Sequence, residues 1–141
     1  MLCLPCEIQA VAPAARVQFV AVIRAQVCVV VFGLPGTSAD LAAELAKMLP
    51  KGSAVVKAFN INLGDTLVAG TNGTTVTTVL YAGDYADAKE QVTALIEAAG
   101  MRAVDAGMLT LARELESMSF LQIIRASLGK TSYESGFTLL Q

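Results

Sequence analysis

Three short runs of β-branched and apolar residues, each followed by a segment with helical spacing, constrain this chain more than any other feature. Val27–Phe32, Ala54–Phe59 (apolar apart from Lys57) and Val76–Ala82 each read as a strand, the first two covered on both faces. Val17–Ile23 is a further β-prone run, set off by Arg24, Ala25 and Gln26, and Met101–Val104 is a short fifth strand. Between them lie helices. Thr37 and Asp40 form a capping-box-like start to a helix carrying Leu41, Leu45, Met48 and Leu49 on one face, which Pro50-Lys51-Gly52 stops. Asn62–Ala69 is a short helix or turn, and Gly70–Gly73 a loop. Asp84 is placed to cap a helix that turns Ala88, Val92, Leu95, Ile96 and Ala99 inward and ends at Gly100. Asp105-Ala106-Gly107 is a turn, and a longer helix runs from about Leu109 to Ala126 with Leu111, Leu115, Met118, Gln122 and Ile123 near one stripe. Phe137–Leu140 reads as an edge strand. Strands separated by helices with short connections pair in parallel, so the fold class is α/β: an open, mostly parallel sheet with helices on both faces.

Residue types that are absent exclude several chemistries. The 141 residues contain no histidine, which removes the commonest general base and every Ser-His or Cys-His nucleophile pair. Cys3-x-x-Cys6 and Cys28 supply too few ligands for a structural zinc site, so no metal is expected and the thiols read as inert. Ten basic against twelve acidic residues give a net charge of −2, with no cationic field for nucleic acid. The Arg16-to-Arg24 run is too short to span a bilayer, and the first residues make a poor signal peptide, so neither membrane nor export is expected and the chain reads as cytoplasmic. Gly129-Lys130-Thr131 lacks the earlier glycine of a phosphate-binding loop and follows a helix where a strand is required. Most charges, among them Lys47, Lys89, Arg113, Glu114 and Glu116, fall on helix faces and read as solvated.

Two segments end strands where open α/β sheets bind ligands: Lys57-Ala58-Phe59-Asn60 and Asp105-Ala106-Gly107. Asn60 reads equally as a turn amide and as a ligand contact. A pocket, if one is kept, belongs near Asn60, Ala82-Gly83 and Asp105.

The wording of the chain carries a resemblance. Val55-Val56-Lys57-Ala58-Phe59-Asn60, Thr66-Leu67-Val68-Ala69-Gly70, Thr77–Asp84 with Ala86-Asp87-Ala88-Lys89, Val104-Asp105-Ala106-Gly107, Ala112–Glu116 and Phe120-Leu121-Gln122-Ile123 follow in order. Together they resemble the NADP-dependent oxidoreductase family that includes deazaflavin (coenzyme F-four-twenty) dependent NADP reductases and predicted dinucleotide-binding enzymes. The nucleotide domain of the STEAP-type ferric reductases is more distantly similar. The resemblance runs from about Leu34 to Gln141 and corresponds to the second half of a Rossmann-like domain; residues 1–33 do not look like the family. Met108 stands where the family often has proline, and Tyr133 near Gly136-Phe137 where tryptophan is usual.

The family's Gly-x-Gly-x-x-Gly turn occurs nowhere in this sequence. That turn leads backbone N–H groups at a helix start onto the pyrophosphate. The resemblance therefore implies a truncated Rossmann-like protein, non-catalytic alone, with a remnant small-molecule pocket at Asn60, Phe59, Gly83 and Asp105 as the residues nearest NADP or a deazaflavin. The alternative is an NADP/deazaflavin- or flavin-dependent oxidoreductase whose site another chain completes. Removing the family's first half bares a sheet edge, which Val17–Phe32 can occupy. With 55% hydrophobic residues, a homodimer through this region is expected, by edge pairing or strand exchange.

Overall fold

The computed structural model describes residues 17–23, 27–33 and 41–139. Five strands form one sheet in the order β1-β2-β3-β6-β7: β1 Val17–Ile23, β2 Val27–Gly33, β3 Ala54–Lys57, β6 Thr78–Gly83 and β7 Arg102–Gly107. A separate hairpin joins β4, Thr71–Asn72, to β5, Thr75–Val76. The helices are α1 Leu41–Met48, α2 Gly64–Ala69, α3 Ala86–Ala98 and α4 Ala112–Ser127, the last entered through a 3-10 turn at Leu109–Leu111. The open α/β sheet expected from the alternating pattern is the fold observed.

Strand direction follows the connections. β2 pairs in parallel with β3 across α1, and β6 in parallel with β7 across α3, as a helical return demands. β1 runs antiparallel to β2, with Val17 opposite Gly33 and Ile23 opposite Val27. β3 and β6 are also antiparallel, with Val56 opposite Gly83 and Lys57 opposite Ala82. The sheet is thus more mixed than helix-separated strands alone suggest. The connection from β3 to β6 is no simple crossover helix, since it turns through α2 and the β4–β5 hairpin.

Period-two alternation sorts the side chains onto two faces. Ala54, Val56 and Ala58 of the β3 segment, with Val79 and Tyr81 of β6, pack against Ala88, Val92 and Ile96 of α3. On the other face Ala82 meets Ile61 and Leu115 of α4, with Leu80, Ala106, Met118 and Phe137 around them. Helices therefore cover both faces of the sheet. Thr93 donates to the Tyr81 hydroxyl at 2.8 Å, which satisfies the polar end of that half-polar core residue.

Several local expectations are corrected. Asp84 does not cap α3: no side chain caps that helix, and Asp84 Oδ1 accepts instead from the Leu109 N–H at 2.9 Å, tying the β6–α3 turn to the 3-10 turn. Asp105-Ala106-Gly107 is the end of β7 and not a free turn, with a register shift opposite Tyr81 and Ala82. Gly70–Gly73 is partly strand, because Thr71 and Asn72 pair with Val76 and Thr75. Leu95 of α3 and Ala99 just past its end lie exposed. Phe137–Leu139 forms no strand. It lies across the starts of β6 and β7, where the Thr138 and Thr78 hydroxyls meet at 3.2 Å and Arg102 donates to the Leu139 carbonyl at 2.8 Å. Cys3, Cys6 and Leu140 lie outside the described residues.

Candidate functional site

The antiparallel junction between β3 and β6 decides where the candidate residues go. The carboxyl end of β3 lies at one rim of the sheet, and the carboxyl ends of β6 and β7 lie at the opposite rim. Phe59 and Asn60 follow β3, whereas Gly83 and Asp105 close β6 and β7. The four residues expected to share one pocket are split between two rims. Reading carboxyl ends as one locus holds only while all strands run the same way.

At the first rim, Phe59 has φ 61°, the described non-glycine residue with a positive value. A phenylalanine in this left-handed region is strained by about 1 kcal/mol, so surrounding contacts must impose it. Phe59 is half-buried against the α3-side core, and the bend delivers Asn60 and Asn62 under the start of β6. Asn60 is 2% exposed and donates through Nδ2 to the Leu115 carbonyl at 3.1 Å. Asn62 Nδ2 donates to the Thr78 carbonyl at 2.9 Å. Both amides are engaged in holding the end of β3 to α4 and β6. The Asn60 amide nitrogen is thus occupied by the Leu115 carbonyl.

At the second rim, Gly83 is buried, and a Cβ there would stand 3.1 Å from both the Val55 carbonyl oxygen and Val56 Cγ2. The glycine permits close packing of β6 on β3. Asp105 is held at both oxygens: Oδ1 accepts from the Gly107 N–H at 2.8 Å and Oδ2 pairs with Lys89 at 2.8 Å. Two openings adjoin this rim. One, of about 450 Å³, is lined by Gly52, Ala54, Asp84, Tyr85, Asp87 and Gln91 among others. The other, of about 300 Å³, is bordered by Lys47, Leu49, Lys51, Ser53, Asp84 and Leu109 among others. Gly83 and Asp105 line neither.

The polar pair at the centre of the molecule was not legible as a pair. Lys57 has no exposed surface, and its Nζ donates to Glu116 Oε1 at 2.9 Å, with the Glu116 side chain 19% exposed. Glu116 is therefore not part of a solvated face, because it compensates a buried ammonium. The available signal was the cation interrupting the apolar run of β3 on the same face as its apolar neighbour Val55. The partner, 59 residues away, had no marker of its own. Among the described residues no three His, Cys, Asp or Glu side chains converge to hold a metal ion, and no helix is long and apolar enough to cross a membrane.

Comparison with known proteins adds a structural neighbour. No protein-family model matches the chain, and no curated protein is detectably similar. Among solved structures the chain is similar to a protein provisionally named an F420-dependent NADP reductase, from Arthrobacter sp. FB24. The two share 24% identity and a TM-score of 0.65 over 78% of this chain. The chain spans half the length of that neighbour. The fold is Rossmann-like.

The described residues do not fit the pyrophosphate of an NADP molecule. The turn from β6 into α3 reads Gly83-Asp84-Tyr85, and the adjoining opening is lined by Asp84 and Asp87, whose carboxylates would repel an anion. The sequence has no Gly-x-Gly-x-x-Gly turn to supply a substitute.

Proposed function

We propose that this chain is a Rossmann-like module related to NADP-dependent reductases, non-catalytic alone, that works as a homodimer joined through Val17–Phe32. One observation carries the reading: the residues best placed by resemblance to touch a cofactor are already committed within the protein. Asn60 is bonded to Leu115, Asp105 to Gly107 and Lys89, and Gly83 to close packing on β3. The assembly rests on strand order, since β1 stands at the edge of the sheet with β2 on one side and no described strand on the other. An edge of unpaired N–H and C=O groups is a template for a second copy, and two-fold closure is the commonest way to satisfy it. In this reading residues 34–141 are the second half of the reductase-type domain and residues 1–33 supply the edge. The cell interior is the proposed location.

Calorimetry with NADPH on the isolated protein tests the non-catalytic part. The expected dissociation constant is no tighter than the high micromolar range, on the order of −5 to −6 kcal/mol. A sub-micromolar value would overturn that expectation; the second reading, an oxidoreductase whose site is completed by another chain, is favoured by the reductase neighbour of twice this chain's matched length. Light scattering tests the assembly, with a dimer expected at micromolar protein and an interface above about 1,000 Å². Deleting residues up to Arg24 is expected to abolish the dimer. A monomeric parent, or a dimer intact after the deletion, would refute it.

A further inference from the structure

A helix lying on one face of a sheet needs a single apolar stripe, with polar residues turned to water. α4 carries two stripes. The inward one is formed by Ala112, Leu115, Ser119, Gln122 and Ala126. On the opposite side Phe120, Leu121, Ile124 and, at the carboxyl cap, Leu128 are between 37% and 66% exposed. Phe120, Ile124 and Leu128 follow at steps of one turn, so they form a continuous ridge. Large apolar side chains thus face outward while a serine and a glutamine of the same helix are buried. A contiguous exposed patch of this kind marks an interaction surface.

The charges beside the outward stripe decide what fits it. Glu114 in the first turn and Arg125 in the last stand about three turns apart, so both lie along the same flank, and both are exposed. Neither has an ion-pair partner among the described residues. A second α4 laid parallel would set Glu114 against Glu114 and Arg125 against Arg125. Laid antiparallel about a two-fold axis near Phe120 and Leu121, it sets each Glu114 beside Arg125 of the other copy. The same axis puts Ser117 opposite Ile124, and Arg113 at the carboxyl end of the other helix, where the macrodipole favours a cation. An acid at one end of a flank and a base at the other is what a surface complementary to itself requires.

We propose that the outward face of α4 is an interface with a second copy of this chain, two antiparallel α4 helices meeting on Phe120, Leu121, Ile124 and Leu128. α4 packs on β6, whereas β1 stands at the far edge of the sheet, so this face is separate from the edge invoked above. Each copy then carries two self-complementary faces. A lone helix pair buries less surface than a stable dimer interface needs, so the α4 contact is the weaker, with a dissociation constant on the order of 100 μM. Pairing through β1 prevails at micromolar protein, and pairing through α4 adds to it as the concentration rises.

Sedimentation of the full chain from about 5 μM to about 1 mM tests this. A doubling of mass across that range is expected: dimer to tetramer, or monomer to dimer where the β1 edge does not pair, so the two readings fail separately. Glu114→Arg or Arg125→Glu alone turns both symmetric pairs into like charges and should raise the dissociation constant about tenfold. The double variant exchanges the signs and should return it to within about threefold of the parent. Leu121→Glu, beside the axis and facing its own copy, should abolish the doubling. A constant mass up to about 1 mM would leave the stripe to a different partner and overturn the proposal. So would a doubling indifferent to the single charge reversals, or a double variant that associates no better than either of them.

Discussion

A lysine with no exposed surface is tolerable only while its ammonium has a charged partner. Lys57 meets this condition through Glu116, so the two residues are expected to respond asymmetrically to substitution. Glu116→Ala strands a cation inside the protein and should cost about 3 kcal/mol by urea unfolding. Lys57→Met leaves Glu116 free to turn to water and fills the space with apolar atoms, so it should be within about 1 kcal/mol of the parent or more stable. Equal losses from both substitutions would contradict this account. Gly83 gives a second residue-scale expectation. Gly83→Ala places a Cβ against the Val55 carbonyl oxygen, which is backbone and cannot swing aside, so a loss of about 1–3 kcal/mol is expected in the same measurement. Neither effect could be read in the sequence. Lys57 showed as an irregularity in an apolar run, but the identity of its partner depends on how α4 lies on the sheet, which local pattern does not encode.

At the scale of elements, pattern was informative where one face of a segment decides its burial and failed where a long-range bond competes with a local one. Ala88, Val92 and Ile96 of α3 are buried as their spacing predicts, and Gly100 has φ 76° just past the helix end. Asp84 reads as a cap in the sequence because its side chain has the right chemistry two residues before the helix start. The Leu109 N–H, 25 residues on, takes it instead. The tail reads as a strand in the sequence because Phe137 to Leu140 is apolar and β-prone. In the fold Phe137 packs on the Leu115 cluster and leaves the backbone to be held by Thr78 and Arg102 contacts. This makes the tail a stabilising strap. Removing residues 129–141 should cost about 2 kcal/mol, mainly the half-buried Phe137 side chain, and lower the unfolding midpoint in calorimetry. An unchanged midpoint would show that the strap is incidental.

For the whole molecule the decisive feature is strand polarity. The sequence made five strands and alternating helices legible, and with them an open α/β sheet. It did not reveal that β6 and β7 would run against β3, because the direction of a strand after a connection of twenty residues is set by how α2 and the β4–β5 hairpin fold and not by the strand's own residues. Strand order without strand direction therefore groups Asn60 with Gly83. The assembly has its own measurement at this scale. In an antiparallel edge pair, half of the edge strand's amides point away from the neighbour. If β1 joins a second copy, those outward amides should exchange slowly with solvent at high protein concentration and quickly on dilution, while the amides bonded to β2 change little. Exchange independent of concentration would argue against an edge-to-edge dimer.

The reversed junction also acts on the electric field of the molecule. Each helix in a strand–helix–strand unit runs against its strands, so α1 and α3 point in opposite directions here, one accompanying β2 and β3 and the other β6 and β7. In a fully parallel sheet the positive helix ends gather above a single rim, and their fields add where an anion must be held. With one unit inverted, each rim receives the amino end of one helix and the carboxyl end of the other. Their macrodipoles, about half an elementary charge at each end, oppose one another. The attraction for phosphate that this architecture gathers at one rim when all of its strands agree is here divided, with the amino end of α1 at one rim and those of α3 and of α4, which follows β7, at the other.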